Sequence, residues 1–379
     1  MGRISRPTAF ARLSTRQART VFAAAVVLSG LFVAVTLSPL ANPGPSRESH
    51  DGPGAGDVAL YRATIDRIHA GEGYYEVAGA EMRARGYPTG SVFNWRVPTP
   101  FWLIGWMPSV TFGKVLLGGL ALALSLLAFE ALAREEDNAI RRPVACALLL
   151  TGPLLPCVLG DLFVMPSLWA GVLIALSICA YGVDRPRLGV VCGLAAVFLR
   201  ELAMPYCLVA AALAWRNKRR GELTAWLVGL AGFTVIFGLH ALHVSGLIGP
   251  EDRLHRESWV QFGGTAFVIA TAEMTAYLLL LPQWITALYL AAALLGFAGW
   301  NTPLGRRAGL TACLFVIAFA VVGQPFNQYW GSLIAPLLCF GVVRSPGSLR
   351  DLWKAAATSS CSAAVADSSN RIASSTNSR

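Results

Sequence analysis

Residues 21–40 read VFAAAVVLSGLFVAVTLSPL, a stretch of twenty residues without a charged side chain. A helix needs about 20 apolar residues to cross the hydrocarbon core of a bilayer, so this stretch predicts a membrane span. Five arginines and no acid precede it, as in a signal sequence with a long apolar region. Because further apolar runs follow, for example at 223–245 and 308–322, we interpret 21–40 as an uncleaved anchor and predict an all-α polytopic membrane protein.

The composition of the chain supports this class. Of its 379 residues, 55% are apolar and only 14% are charged, whereas soluble domains average nearer a quarter charged. The formal net charge is +10, but the basic residues cluster in short loops beside apolar runs. That distribution is typical of membrane topology rather than of nucleic-acid binding. We therefore expect the lipid bilayer as a partner, and no nucleic acid.

Hydropathy predicts about ten transmembrane helices, some of them short. Arg200 and Glu201 interrupt one apolar region, which indicates either one kinked helix or two short helices that meet at a polar point. The segment 264–282 is predicted to be an interfacial or re-entrant helix on the outer side, and 98–108 is predicted to enter the outer leaflet without crossing. The predicted spans lie near 21–40, 112–133, 143–160, 164–182, 188–199, 202–215, 223–245, 284–300, 308–322 and 330–343.

With these spans, the arginines and lysines of the loops fall on one side of the membrane, which the positive-inside rule makes the cytoplasmic side. Both termini are then cytoplasmic: a basic stretch at 1–20, and a tail at 344–379 that is predicted to be disordered because it has little hydrophobicity. The transmembrane domain covers 21–343. Its external first loop, 41–111, is expected to contain short helices.

One part of the external loop, GDVALYRATIDRIHAGEGYYEV at 56–77, has the pattern of an amphipathic helix. Arg62 and Asp66 form an i,i+4 pair on a second face, and the glycines that follow are typical helix stops. Asp57 begins the periodic stretch, so it can act as the helix N-cap, with its carboxylate accepting a backbone N–H. The apolar stripe consists of Val58, Tyr61, Ile65 and Ile68.

Four motifs follow one another along the chain. They are Asp57-x-x-x-Tyr61 with the aromatic and proline-rich FNWRVPTPFWLIGWMP, then LGDLFVMPSLW around Asp161, FLRELAMPYC around Arg200, and QPFNQYWGS at 324–332. In this order they resemble the GT-C membrane glycosyltransferases, and most of all the bacterial polyprenol-phosphate-mannose-dependent mannosyltransferases (glycosyltransferase family 87). Asp161 stands where that family usually has glutamine, and Arg200 where it has lysine.

The resemblance implies a hexosyltransferase of a bacterial inner membrane. It would move a hexose, with mannose as the first candidate, from a polyprenyl-phosphate donor to a glycan or glycolipid acceptor on the outer face. Asp57 would be the base that takes the proton of the acceptor hydroxyl, and Arg200 would stabilise the leaving lipid phosphate. No cofactor and no metal ligand are predicted. A divalent metal ion is left open, since no clear carboxylate cluster demands one.

Several candidate residues have an alternative interpretation. Asp161 either caps a helix or binds a sugar hydroxyl. Arg200 either binds the lipid phosphate, or pairs locally with Glu201 or extends to the interface. Arg256 either meets the donor phosphate or belongs to a solvated charged loop. The residues predicted to bind substrate or donor are Tyr61, Arg200, Asp161, Arg256, Asn327 and Tyr329.

Two other classes of function compete with the glycosyltransferase. A multi-spanning transporter or lipid flippase would use ionisable residues at broken helices, and the interruption at Arg200 and Glu201 is such a feature. A catalytically inactive GT-C-like protein would tolerate the departures from the family motifs.

Overall fold

The computed structural model describes residues 7–38, 56–135, 140–254 and 261–357. Within these ranges the chain forms fourteen α-helices and several short 3-10 helices, without a strand. The predicted all-α class is therefore confirmed, and long apolar helices make the protein membrane-embedded.

Among the described residues, four helices are long and apolar enough to cross a membrane, and a bent pair adds a fifth if it forms one span. The four are α1 (Thr15–Leu37), α5 (Val110–Glu135), α10 (Arg220–Ser245) and α13 (Pro303–Val321), and the bent pair is the 3-10 helix Pro325–Leu333 with α14 (Ala335–Ala357). The other helices are α2 (Asp57–His69), α3 (Tyr74–Ala84), α4 (Thr99–Gly105), α6 (Arg141–Thr151), α7 (Pro166–Gly182), α8 (Pro186–Leu199), α9 (Met204–Arg216), α11 (Gly264–Ala272) and α12 (Gln283–Gly299).

The prediction of about ten spans is not confirmed. The apolar run at 143–160 yields only the 11 residues of α6 before the helix ends at Gly152. The 17 residues of α7 reach about 26 Å, less than the roughly 30 Å of a hydrocarbon core. A hydropathy profile counts every apolar run as a span. A run can, however, be apolar because it packs among other helices of the protein and not because it crosses the lipid. The segments 98–108 and 264–282, predicted not to cross, contain the short helices α4 and α11.

The core forms around α7. Every residue from Pro166 to Ala180 is buried, and α7 packs against α5, α8 and α13. Gly171 of α7 lies so close to the backbone oxygen of Ser332 that a Cβ would have no room. Gly296 of α12 meets the backbone of α14 at Gly341 in the same way. Small residues thus set the closest helix contacts, as is common in membrane bundles.

Many charged side chains meet at one end of the bundle, which we call the basic end. Glu135, the last residue of α5, accepts from Arg344 (3.0 Å) and from the Trp300 indole (2.8 Å). Arg307 lies over the Tyr181 ring at 3.5 Å. The 26 residues of α5 span about 39 Å, so its first residue, which follows α4, lies at the opposite end.

The hairpin of α8 and α9 starts and ends at the basic end. Asp184, just before α8, pairs with Arg134 at 3.1 Å, and the four residues after α9 include three bases. The two helices have 14 and 13 residues, or about 20 Å each, and meet at Arg200 and Glu201. The sequence predicted either one kinked helix or two short helices that meet at a polar point, and the structure shows the two short helices.

The C-terminal helix continues beyond the predicted boundary of the transmembrane domain at 343. α14 runs to Ala357, and Leu352 is fully buried. The backbone N–H of Thr8 donates to the Asp351 carboxylate (2.9 Å), which ties the N-terminal stretch to this helix. The residues 344–357 are therefore ordered because they pack against the start of the chain, and residues 358–379 of the predicted tail lie outside the described residues.

Candidate functional site

The site is built on residues 56–107, which we call the first connecting segment. Its helix α2 follows the predicted pattern: Ile65 and Ile68 are buried, and Arg62 pairs with Asp66 at 3.0 Å. α2 ends before Gly71, whose positive φ of 98° suits glycine. Gly56 occupies the N-cap position, so Asp57 is the first residue of α2 rather than its cap. A carboxylate in this first turn is favoured by the helix dipole.

The first connecting segment is fixed to the bundle by close packing and hydrogen bonds. Gly105 of α4 lies against Ile68 of α2, where a Cβ would be 2.6 Å from the isoleucine side chain. His240 of α10 contacts the Tyr75 hydroxyl through Nδ1 (3.1 Å) and the Trp95 carbonyl through Nε2 (3.4 Å). Because a carbonyl only accepts, Nε2 carries the proton and Nδ1 accepts from the tyrosine. His240 is thus a satisfied packing residue, as its position near a span end indicates.

A second attachment joins the first connecting segment to the loop after α10. The buried carboxylate of Asp252 accepts from Arg83 (2.8 Å), from the Thr89 hydroxyl (2.6 Å) and from the backbone of Gly249 (2.9 Å). Hydrogen bonds from Arg83 and then Thr89 hold the pKa of Asp252 well below its ordinary value. This carboxylate is therefore charged at neutral pH and holds the two loops together.

Asp57, Tyr61, Tyr87, Arg96 and Tyr329 form the centre of the site, which we call the tyrosine–arginine cluster. Arg96 donates from Nε to the Tyr61 hydroxyl (2.9 Å) and from Nη2 to the Tyr329 hydroxyl (3.0 Å). The Tyr61 hydroxyl lies 3.5 Å from the Asp57 carboxylate. Tyr87 also lies near Asp57, close enough for the carboxylate to raise the pKa of its phenol. One carboxylate thus faces two phenols, and one guanidinium joins two phenols from distant parts of the chain.

Both phenols beside Asp57 stay protonated. Burial raises the pKa of Tyr61 well above its ordinary value, whereas the charges of Arg96 and Arg200 lower it. Burial, followed by the nearby Asp57 carboxylate, raises the pKa of Tyr87. A carboxylate can only accept, so the Tyr61 hydroxyl donates to Asp57. Asp57 thus faces two neutral phenols.

Arg200 lies at the apex of the hairpin of α8 and α9, and its charge acts on the pKa of Tyr61 in this cluster. Its side chain is 2% exposed, and Nη1 pairs with Glu201 at 3.0 Å. The local pair is therefore present, but Nε and Nη2 of Arg200 have no acceptor among the described residues. A buried guanidinium with two unsatisfied nitrogens is unusual, because each unpaired donor costs free energy. The charge of Glu201 also acts on Arg96.

Tyr329 and Asn327 lie on the 3-10 helix Pro325–Leu333, which brings the late motif to the site. Tyr329 reaches Arg96, whereas Asn327 is buried, and its Nδ2 has no partner within the described part of the chain. Gly331 touches the backbone oxygen of Thr271 in α11, so a Cβ would not fit there. The close approach of this backbone holds Tyr329 in reach of the cluster.

Asp161 lies outside the tyrosine–arginine cluster. It occupies the N-cap position of the 3-10 helix that follows it, but its side chain makes no capping hydrogen bond; the exposed carboxylate pairs instead with Arg62 of α2 at 2.8 Å. The alternative of a cap is therefore wrong, and sugar binding by Asp161 stays a prediction. Arg256 lies outside the described residues.

Arg96 and Tyr87 were not among the residues predicted from the sequence. Arg96 carries the only charge between Arg85 and Lys114, in an aromatic and proline-rich stretch. An isolated charge in such a stretch is a signal for a functional residue, and it could have identified Arg96. Nothing in the local pattern around Tyr87 distinguishes it from the other tyrosines.

The arrangement combines a held carboxylate with cations. The carboxylate of Asp57 can accept a proton, and the guanidinium groups can hold an anion. Across the described residues, no group of three or more His, Cys, Asp and Glu side chains could hold a metal ion.

Comparisons with protein-family models, with curated proteins and with solved structures find no match to this chain. The membership in the GT-C superfamily therefore stays a prediction from the motifs.

Proposed function

We propose that the protein is a GT-C-type membrane glycosyltransferase that transfers a hexose, with mannose as the first candidate, from a polyprenyl-phosphate donor to a glycan or glycolipid acceptor. The observation that supports the proposal most is the Asp57 carboxylate 3.5 Å from the buried Tyr61 hydroxyl, together with the Arg200 guanidinium, which is near enough for its charge to lower the pKa of the same phenol. One group accepts a proton, and the other has buried nitrogens, Nε and Nη2, without an acceptor in the described chain. A sugar phosphate needs both functions at the same place.

In the proposed reaction, the acceptor hydroxyl attacks the anomeric carbon of the donor sugar. The bond from that carbon to the phosphate oxygen breaks, and the phosphate leaves with the electron pair. Asp57 takes the hydroxyl proton, and Arg200 stabilises the charge on the leaving phosphate. Attack from the face opposite the phosphate inverts the anomeric centre.

The proposal also assigns an orientation. The basic end would face the cytoplasm of a bacterium, as the positive-inside rule requires, and both termini would lie there. The first connecting segment would then face outward, where the head group of a lipid-linked donor is accessible. Labelling of a cysteine introduced at Ser91 tests this orientation: reaction with a membrane-impermeant reagent from outside agrees with it, and reaction only from the cytoplasm contradicts it.

A transporter or lipid flippase is the second candidate, and one observation favours it. The chain is interrupted at Arg200, between α8 and α9, and it bends by 69° before α14, directly after the 3-10 helix whose Tyr329 belongs to the tyrosine–arginine cluster. Interrupted helices at a central site are typical of transporters.

One experiment on purified protein in proteoliposomes distinguishes the glycosyltransferase from the transporter or flippase. Polyprenyl-phosphate-linked hexoses are supplied with candidate acceptors, with divalent ions or with a chelator, and product is measured together with lipid movement between leaflets. Sugar transfer without lipid movement supports the glycosyltransferase. Lipid movement without sugar transfer from any donor contradicts it and supports the flippase.

A further inference from the structure

Arg96 joins three parts of the molecule. Its side chain donates to Tyr61 of α2 and to Tyr329 of the 3-10 helix Pro325–Leu333. Its backbone carbonyl accepts from the Tyr74 hydroxyl of α3.

The hydrogen bonds of Arg96 decide the direction of the Tyr61 proton. A guanidinium has no acceptor, so Arg96 must donate to the oxygen of Tyr61. The one proton of that hydroxyl then has to go to an acceptor, and the Asp57 carboxylate lies 3.5 Å away. Tyr61 is buried, so a hydroxyl proton without an acceptor would cost free energy.

We propose that Arg96 is a positioning residue for Asp57: by donating to Tyr61 it directs the phenolic proton to the carboxylate and fixes the orientation of that carboxylate. Tyr61 then holds Asp57 by its hydrogen bond, so the group that accepts the proton has a fixed orientation before substrate binds. This inference rests on the proposed function in assigning proton transfer to Asp57. The link from Arg96 through Tyr61 to Asp57 is independent of the reaction.

The competing role for Arg96 is direct contact with the donor phosphate, alongside Arg200. Three nitrogens of Arg96 already donate within the protein, because Nη1 lies 3.4 Å from the Phe93 carbonyl in addition to the two phenol contacts. Arg200, by contrast, has two nitrogens without acceptors in the described chain. The geometry therefore favours positioning for Arg96 and leaves anion contact to Arg200.

A double-mutant comparison distinguishes the two roles. Arg96→Met, Tyr61→Phe and the double variant are assayed for kcat and for the donor KM in nanodiscs, with the polyprenyl-phosphate hexose used for the wild type. If Arg96 acts through Tyr61, each single variant lowers kcat by about 10- to 100-fold, and the double variant lies within about twofold of the poorer single. The donor KM changes less than about threefold.

Two results would overturn the proposal. One is a double variant in which the two losses multiply; the other is a rise of tenfold or more in the donor KM of Arg96→Met at unchanged kcat. Arg96→Lys, which keeps one point donor, is expected to lie between the wild type and Arg96→Met. The matched control is Arg67→Met, whose arginine pairs with Glu72 and Glu81 on the same segment and is expected to change kcat less than about twofold.

A measurement that needs no sugar transfer tests the link from Arg96 to Asp57 independently of the proposed function. Protein with tyrosine labelled by 13C at the ring carbon that bears the hydroxyl is compared by NMR, with Tyr61 assigned from Tyr61→Phe. Arg96→Met and Asp57→Asn are both expected to shift the Tyr61 resonance. An unchanged resonance in either variant overturns the link, whether or not the wild type transfers sugar. A wild type without transfer, but with both shifts, overturns only the proposed function.

Discussion

The stability of Arg200 variants distinguishes two roles for this arginine: binding a ligand, or stabilising the fold. In the structure, Nε and Nη2 are buried and have no acceptor in the described chain, and each unsatisfied donor costs about 1–3 kcal/mol, or about 2–6 kcal/mol together. Only Nη1 is paired, with Glu201. Replacing a buried ion pair by well-packed hydrophobic side chains of similar volume is often neutral or stabilises by about 1–4 kcal/mol. Arg200→Met with Glu201→Gln should therefore be at least as stable as the wild type.

The assay is unfolding in mixed micelles by SDS titration, followed by circular dichroism at fixed protein concentration. Arg200→Met alone should be about 1–3 kcal/mol less stable than the double variant, because it leaves Glu201 without its partner. A double variant that loses more than about 3 kcal/mol would refute the reasoning, since Arg200 would then be held by the bundle itself.

The same variants report on binding of a lipid phosphate. A ligand that binds only the folded state at about 100 times its Kd raises the unfolding free energy by about 2.7 kcal/mol. Polyprenyl monophosphate should stabilise the wild type in this way and leave the Arg200→Met and Glu201→Gln double variant unchanged. Equal stabilisation of both proteins would show that the lipid binds elsewhere.

Two further predictions concern the frame of the site. Gly331→Ala places a Cβ against the Thr271 carbonyl and should lower the free energy of SDS unfolding by about 1–3 kcal/mol. The control Gly232→Ala, which has open space around it, should change this free energy by less than about 1 kcal/mol. Equal effects of the two substitutions would contradict the packing argument. Asp252→Asn should cost about 1–2 kcal/mol at pH 7, because Arg83 loses its charged partner. Since the folded pKa of Asp252 is lowered, the difference from the wild type should begin to shrink as the pH falls below about 4 and should be lost only as the pH approaches the lowered folded pKa; a constant difference down to pH 3 would contradict this origin.

The parts of the fold that the sequence predicts correctly are local. The apolar stripe of α2, the pair of Arg62 with Asp66 and the end of the helix before Gly71 all depend on residues a few positions apart. The interruption at Arg200 and Glu201 was also predicted, because two adjacent charges disturb an apolar helix. Such features follow from helical periodicity and backbone chemistry alone.

The site itself depends on contacts between distant residues, which one sequence does not reveal. Arg96 meets Tyr61 across 35 positions and Tyr329 across 233, and Asp161 finds Arg62 across 99. The number of spans is not confirmed for a related reason: α7 is buried among other helices, and hydropathy does not distinguish such burial from contact with lipid.

The most direct test of the central claim is the rate of sugar transfer by Asp57→Asn relative to the wild type, at a saturating concentration of a polyprenyl-phosphate hexose that the wild type uses. Asp66→Asn, on the same helix, is the matched control and should keep its rate within about twofold. If Asp57 is the base, the Asp57→Asn rate falls by at least about 100-fold while the variant still binds the donor. An Asp57→Asn variant that transfers sugar at the wild-type rate would contradict the account.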